Sequence, residues 1–143
     1  MSIVILRLGN EHGSRVSASV RHGNHEFTAL VDGFKSNLAE LVGENCIVEM
    51  LFETVASWKE LHNFQDEQSC ITSSTNTPSA VTLRGRVHNI SELDENNRII
   101  DLYLQNGPEF LAISSADLNG IVPALGSALE ITVYGLCFYP TGT

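Results

Sequence analysis

Two stretches of this chain carry one pattern, and that repetition limits the possible folds more than any single motif does. In Arg15–Val55, the residues Val16, Ala18 and Val20 alternate with Arg15, Ser17, Ser19 and Arg21, the period of a strand with one buried face. His22-Gly23-Asn24-His25 reverses the chain and Glu26–Val31 runs back. Phe34–Val42 reads as a short helix closed by Gly43, and Cys46–Val55 as a further strand. In Arg98–Phe138, Ile100, Leu102 and Leu104 alternate, Asn106-Gly107-Pro108 turns, and Glu109–Ile113 returns. A helical turn over Leu118–Leu125, closed by Gly126, then leads to a last strand, Leu129–Phe138. Glu26-Phe27 and Gly43 align with Glu109-Phe110 and Gly126 without a gap. The pattern predicts a mainly β protein made by internal duplication of a β-β-β-α-β unit.

The segments around the two copies complete this outline. Ile3–Leu8 reads as a strand before the first copy, and Val81–Ile90 as one before the second. Gly85 inside that second strand predicts a bulge or sharp bend. Trp58, Leu61 and Phe64 recur every three residues, which predicts a helical turn. Gln65–Ala80 is crowded with Ser and Thr and reads as a flexible connection. The expected division is therefore a first β-rich repeat over 1–64, a linker over 65–80 and a second repeat over 81–143. Pro140-Thr141-Gly142-Thr143 is expected to fray.

Strand, strand, strand, short helix, strand resembles the order of the OB-fold, a small Greek-key barrel. The resemblance covers Val81–Phe138 best and Ile3–Val55 less well, and the second half supplies no fifth strand. It implies OB-like barrel halves. Leu111 and Ile113 are apolar on the face opposite Phe110 and Ala112, and strands apolar on both faces are usually covered on both. The two halves are thus expected to pack together as a pseudo-dimer.

Charge narrows the function classes. The net charge is −9, and the eight Lys and Arg residues form no run. Phosphate-driven affinity needs clustered cations that release counterions, so nucleic acid is an unfavoured partner. An anionic membrane surface is unfavoured for the same reason, and no apolar run is long enough to cross a bilayer. Met1–Arg7 lacks the features of a signal peptide. Cys46, Cys70 and Cys137 are odd in number and widely spaced, as free thiols in the cytoplasm would be. Cys46 and Cys137 read as core residues and Cys70, in a polar loop, as the more reactive thiol.

Several strings hint at chemistry. Gly23-Asn24-His25-Glu26 is similar to one motif of the calcineurin-like metallophosphoesterases, whose companion motifs Asp-x-His and Gly-Asp-x-x-Asp are absent. His22 and His25 remain a candidate for a metal-dependent hydrolase, but only two ligands are local and exposed turn histidines are the simpler reading. Gly33-Phe34-Lys35-Ser36 lacks the glycine that a phosphate loop places before its lysine. No nucleophile elbow is present. Neither a catalytic group, a cofactor nor a metal is expected.

Two binding functions remain. The favoured expectation is a non-enzymatic, acidic protein-binding module of adaptor, inhibitor or immunity type. It would meet a basic partner through Glu49, Glu53, Glu92, Asp94 and Glu95. The alternative is an OB-like single-stranded nucleic-acid binder using Arg84, Arg86, Arg98 and Tyr103.

Overall fold

A computed structural model describes residues 1–74, 77, 79–104 and 109–141. The expected turn at Asn106-Gly107-Pro108 and the terminal Gly142-Thr143 lie outside them. The protein is mainly β. Its strands are β1 (Ser2–His12), β2 (Arg15–His22), β3 (His25–Asp32), β4 (Asn45–Leu51), β5 (Thr54–Leu61), β6 (Cys70–Ser73), β7 (Val81–Glu92), β8 (Arg98–Tyr103), β9 (Phe110–Ser114), β10 (Ala128–Tyr134) and β11 (Cys137–Pro140). One short helix, α1 (Lys35–Leu38), continues into a 3-10 turn over Ala39–Leu41. No helix among the described residues is long and apolar enough to cross a membrane.

The strands form two units. β1, β2, β3, β11 and β4 close into a barrel, with β4 pairing back onto β1. β5, β10, β7, β8 and β9 form a second sheet in that order, and β6 also pairs with β7. The barrel begins as two hairpins with two-residue turns, in which Gly13 (φ +66°) and Gly23 (φ +60°) take the first central place. That positive φ belongs to the mirror-image turns whose twist matches a hairpin. The first-copy alternation then holds: Val16, Ala18 and Val20 face inward, and so do Phe27, Ala29 and Val31 on β3.

The barrel is closed by the last strand of the chain. β11 runs parallel to β3 (Cys137 beside Leu30) and antiparallel to β4 (Phe138 beside Met50). With α1 between the third and fourth strands, this is consistent with a small OB-like barrel. The closed barrel thus comes from β1–β4 and β11, not from Val81–Phe138, where the sequence resemblance is best. Conversely, β5 leaves the first half to pair with β10 at the edge of the second sheet. Cys46–Val55 and Leu129–Phe138, each read as one strand, are both broken into two. Phe52-Glu53 separates β4 from β5, and Gly135 (φ +69°) with Leu136 separates β10 from β11. A single apolar core runs through both units, from Ile3, Val20 and Phe138 to Leu83, Leu102 and Ile131.

Other local expectations change. Trp58 and Leu61 belong to β5 rather than a helical turn. β5 also carries a bulge: Thr132 faces Ser57 while its neighbour Val133 faces Val55, so Ala56 is the extra residue. Within Gln65–Ala80, the Gln65 and Gln68 side chains cap a 3-10 turn at Asp66–Gln68, and β6 adds to the sheet. Cys70 is therefore a buried strand residue. The helical turn expected over Leu118–Leu125 occupies Ser115–Leu118 instead. Gly85 is required by a close approach, because a Cβ there would collide with the Tyr103 carbonyl oxygen. The β7 bulge itself lies two residues on, between Val87 and Asn89.

Candidate protein interface

β9 is an edge strand that lines a groove beside exposed apolar side chains. It pairs with β8 alone, and the pair is continued by the Leu104 N–H donating to the Glu109 carbonyl at 2.8 Å. Hydrogen-bonded pairs alternate along an antiparallel ladder, so Glu109, Leu111 and Ile113 face β8 with their N–H and C=O groups. Phe110 and Ala112 must turn theirs outward, and neither has a backbone partner among the described residues. Leu111 and Ile113 are fully buried, but Phe110 is 44% exposed and Ala112 is exposed too. The coverage expected on both faces of this strand is thus present on only one.

The opposite wall of the groove is the outside of the barrel. On β4, Cys46, Val48 and Met50 point into the barrel, which leaves Ile47, Glu49 and Leu51 pointing out. Leu51 is 56% exposed, and Glu49 sits opposite Tyr139 of β11. Leu51, Glu49, Tyr139, Phe110, Ala112 and Glu109 are among the residues that line a cavity of ≈ 570 Å³. The Phe110 ring stacks on Tyr103 (centroids 5.4 Å apart, 17° between planes), and Tyr103 in turn lies 4.3 Å from the His88 ring. That column holds Phe110 at the groove mouth.

A polar contact ties the barrel to the residue before β9. His22, at the end of β2, is buried, and its Nε2 is 3.0 Å from Glu109 Oε2. The exposed turn histidine expected at this position is thus a buried joint, against Glu109 just before β9. His25 does remain exposed. Among the described residues no group of three His, Cys, Asp or Glu side chains could hold a metal ion.

The acidic residues singled out by sequence fall in two places. Glu49 lies in the groove; Glu53 lies where the chain leaves the barrel, 4.0 Å from Arg15 Nη1. Glu92, Asp94 and Glu95 sit at the tip of the β7–β8 hairpin. Glu92 pairs with Arg98, next to Ile99, which faces Ser114 at the end of β9, so the tip lies beyond the far end of that strand and outside the groove lining. There Glu92 reaches Arg98 at 3.8 Å. Asp94 accepts from the Asn96 and Asn97 amides at 2.9 Å each, and these bonds hold its carboxyl below the ordinary range.

The arginines proposed for nucleic acid have partners. Arg84 Nε and Nη2 both lie 2.7 Å from Glu130 Oε1, Lys59 Nζ lies 3.4 Å from Oε2, and hydrogen bonding to Glu130 holds the guanidinium above its usual value. Arg86 donates to Asp66 Oδ1 and to the carbonyls of Gly126 and Phe64 while covering the Phe64 ring. These pairs follow from register. Lys59, Glu130, Arg84 and Cys70 stand side by side on β5, β10, β7 and β6, next to a row of hydroxyls from Ser57, Thr132, Thr82 and Thr72. Sequence reasoning missed Leu51, Phe110, Ala112 and Tyr139. Phe110 carried a signal, being apolar beside an already apolar strand face. The chain matches no protein-family model and no curated protein.

Proposed function

We propose that this protein is a non-enzymatic, acidic protein-binding module of adaptor, inhibitor or immunity type, and that it meets a basic partner through the groove between β4 and β9. The observation that carries the reading is the outward-facing β9 backbone beside Phe110, Leu51 and Glu49. Exposed apolar surface rimmed by charge marks binding sites more often than it marks solvated faces. The net charge of −9 favours fast encounter with a cationic partner. Three free, buried cysteines suit a reducing compartment such as the cytoplasm. We further infer that the two halves are copies of one unit whose fifth strands have been exchanged. In support, β11 pairs antiparallel with β4 as β5 does with β10, and β4 pairs with β1 as β10 does with β7.

The test is charge reversal. Glu49→Lys is expected to slow association with a partner recovered from the native cell, whereas reversal of Glu92 and Glu95, which do not line the groove, is expected to change it less. Unchanged association for Glu49→Lys removes the groove from the reading.

Single-strand binding is the second reading, favoured by the Phe110 ring stacked on Tyr103 with His88 tilted beside it. It has little free cation to offer, since Arg84, Arg86 and Arg98 lie against Glu130, Asp66 and Glu92. Titration with an oligonucleotide at low and high salt separates the two, because phosphate contacts weaken steeply with salt.

A further inference from the structure

We propose that the groove takes its partner as an added β-strand: an extended segment pairs with the free edge of β9 and carries a basic residue two positions from an apolar one. This rests on the protein-binding reading and specifies how that site works. The backbone supplies the first argument. Phe110 and Ala112 each present an N–H and a C=O away from β8, spaced as one strand presents them to the next. An exposed edge of this kind is a template for another chain, and proteins that do not use one usually blunt it with charge, proline or a covering loop. β9 carries neither of the first two: Phe110-Leu111-Ala112-Ile113-Ser114 contains no charge and no proline.

The barrel wall supplies the second argument, which selects the side chains. Glu49 and Leu51 project from the same face of β4, two residues apart, and both line the groove. A strand laid along this wall points every second side chain at it, so residues i and i+2 meet Glu49 and Leu51 in turn. Glu49 makes no ion pair among the described residues, and Glu109 adds a second carboxylate to the lining. The complementary segment therefore places Lys or Arg against Glu49 and an aliphatic residue against Leu51 and Phe110. Main-chain bonds give such a complex its affinity and the alternate side chains its choice of sequence.

The probe is a ten-residue synthetic peptide in which lysine and valine occupy alternate odd positions with threonine between them; its control carries glutamate in place of lysine. By amide NMR, the lysine peptide is expected to shift the Phe110 and Ala112 resonances saturably and to slow their hydrogen exchange, with the glutamate peptide silent. Ala112→Pro removes one outward donor and no bond to β8, and proline is tolerated at such edge positions. It is expected to weaken binding at least tenfold, with Ala112→Ser close to wild type. Where Ala112→Pro fails to fold, amide protection in the wild-type protein decides. Equal binding by Ala112→Pro, equal binding of the glutamate peptide, or shifts confined to other strands would each overturn strand addition. If Glu49→Lys alone abolishes binding while Ala112→Pro does not, the groove remains a protein-binding site and only the strand mode is lost.

Discussion

His22 Nε2 lies 3.0 Å from Glu109 Oε2, joining the last residue of β2 in the barrel to the residue just before β9 in the second sheet. The contact anchors the start of β9 to the barrel, because Glu109 is the immediate neighbour of Phe110. Removing one partner of a buried hydrogen bond leaves the other to bear its desolvation. His22→Ala is therefore expected to lower stability in a urea titration by about 1–3 kcal/mol. His25→Ala, at an exposed position across the same turn, should stay within about 0.5 kcal/mol of wild type. A His22→Ala midpoint equal to wild type would show that the joint is not needed.

Glu130 gives a pH-dependent prediction. Burial raises its carboxyl, but hydrogen bonds and charge from Arg84 and Lys59 outweigh burial and leave it below the ordinary carboxylate range. A depressed folded-state value means stabilisation that is present above the unfolded value of about 4.3 and lost as pH falls through the folded one. Glu130→Gln should therefore be less stable than wild type by about 1 kcal/mol at neutral pH, a figure kept small because Arg84 and Lys59 are well exposed. The two proteins should converge as pH falls through the depressed folded-state value. Chemical denaturation at several pH values checks this, and a gap independent of pH would contradict it.

Gly85→Ala should destabilise the second sheet more than an ordinary strand substitution does. The added Cβ would run into the Tyr103 carbonyl oxygen and press on the Leu104 side chain, so β7 and β8 would have to part. Overpacking of this kind costs about 1–3 kcal/mol. Thermal denaturation of Gly85→Ala beside Gly43→Ala, where a Cβ meets open space, separates the collision from the strain of a positive φ.

The three thiols should be silent in the native state. Cys46, Cys70 and Cys137 are buried, and burial pushes the Cys46 and Cys137 thiols above their usual value. Because the thiolate is the reactive form, a disulfide reagent at pH 8 should label them only as fast as the protein opens. Fast labelling of Cys70 in native buffer would mean that β6 is not held against β7.

Much of the architecture could be read from local pattern. Val16, Ala18 and Val20 announced their strand, Gly13 and Gly23 lie in its turns, and Phe34–Val42 contains α1 and the 3-10 turn, because period and turn chemistry are properties of neighbouring residues. Glu49, flagged by charge alone, lies in the groove. Leu51, Ala112 and Tyr139 were not distinguishable from core residues, and Phe110 stood out only as apolar opposite an already apolar face, since an apolar side chain on a strand carries no mark of whether a neighbour covers it.

What the sequence by itself determined is most of the strand segments, though not β5, β6 or the breaks that divide two of them, most of their inward faces and an acidic chain without a complete catalytic motif. Tertiary structure decided the partners of those strands: that β11 closes the barrel of the first half, that β5 joins the second sheet, and that β9 keeps a bare edge. The reason is physical. Alternation tells a strand which face to bury, but backbone N–H and C=O groups are alike in every residue except proline, so the choice of neighbour rests on how distant segments pack.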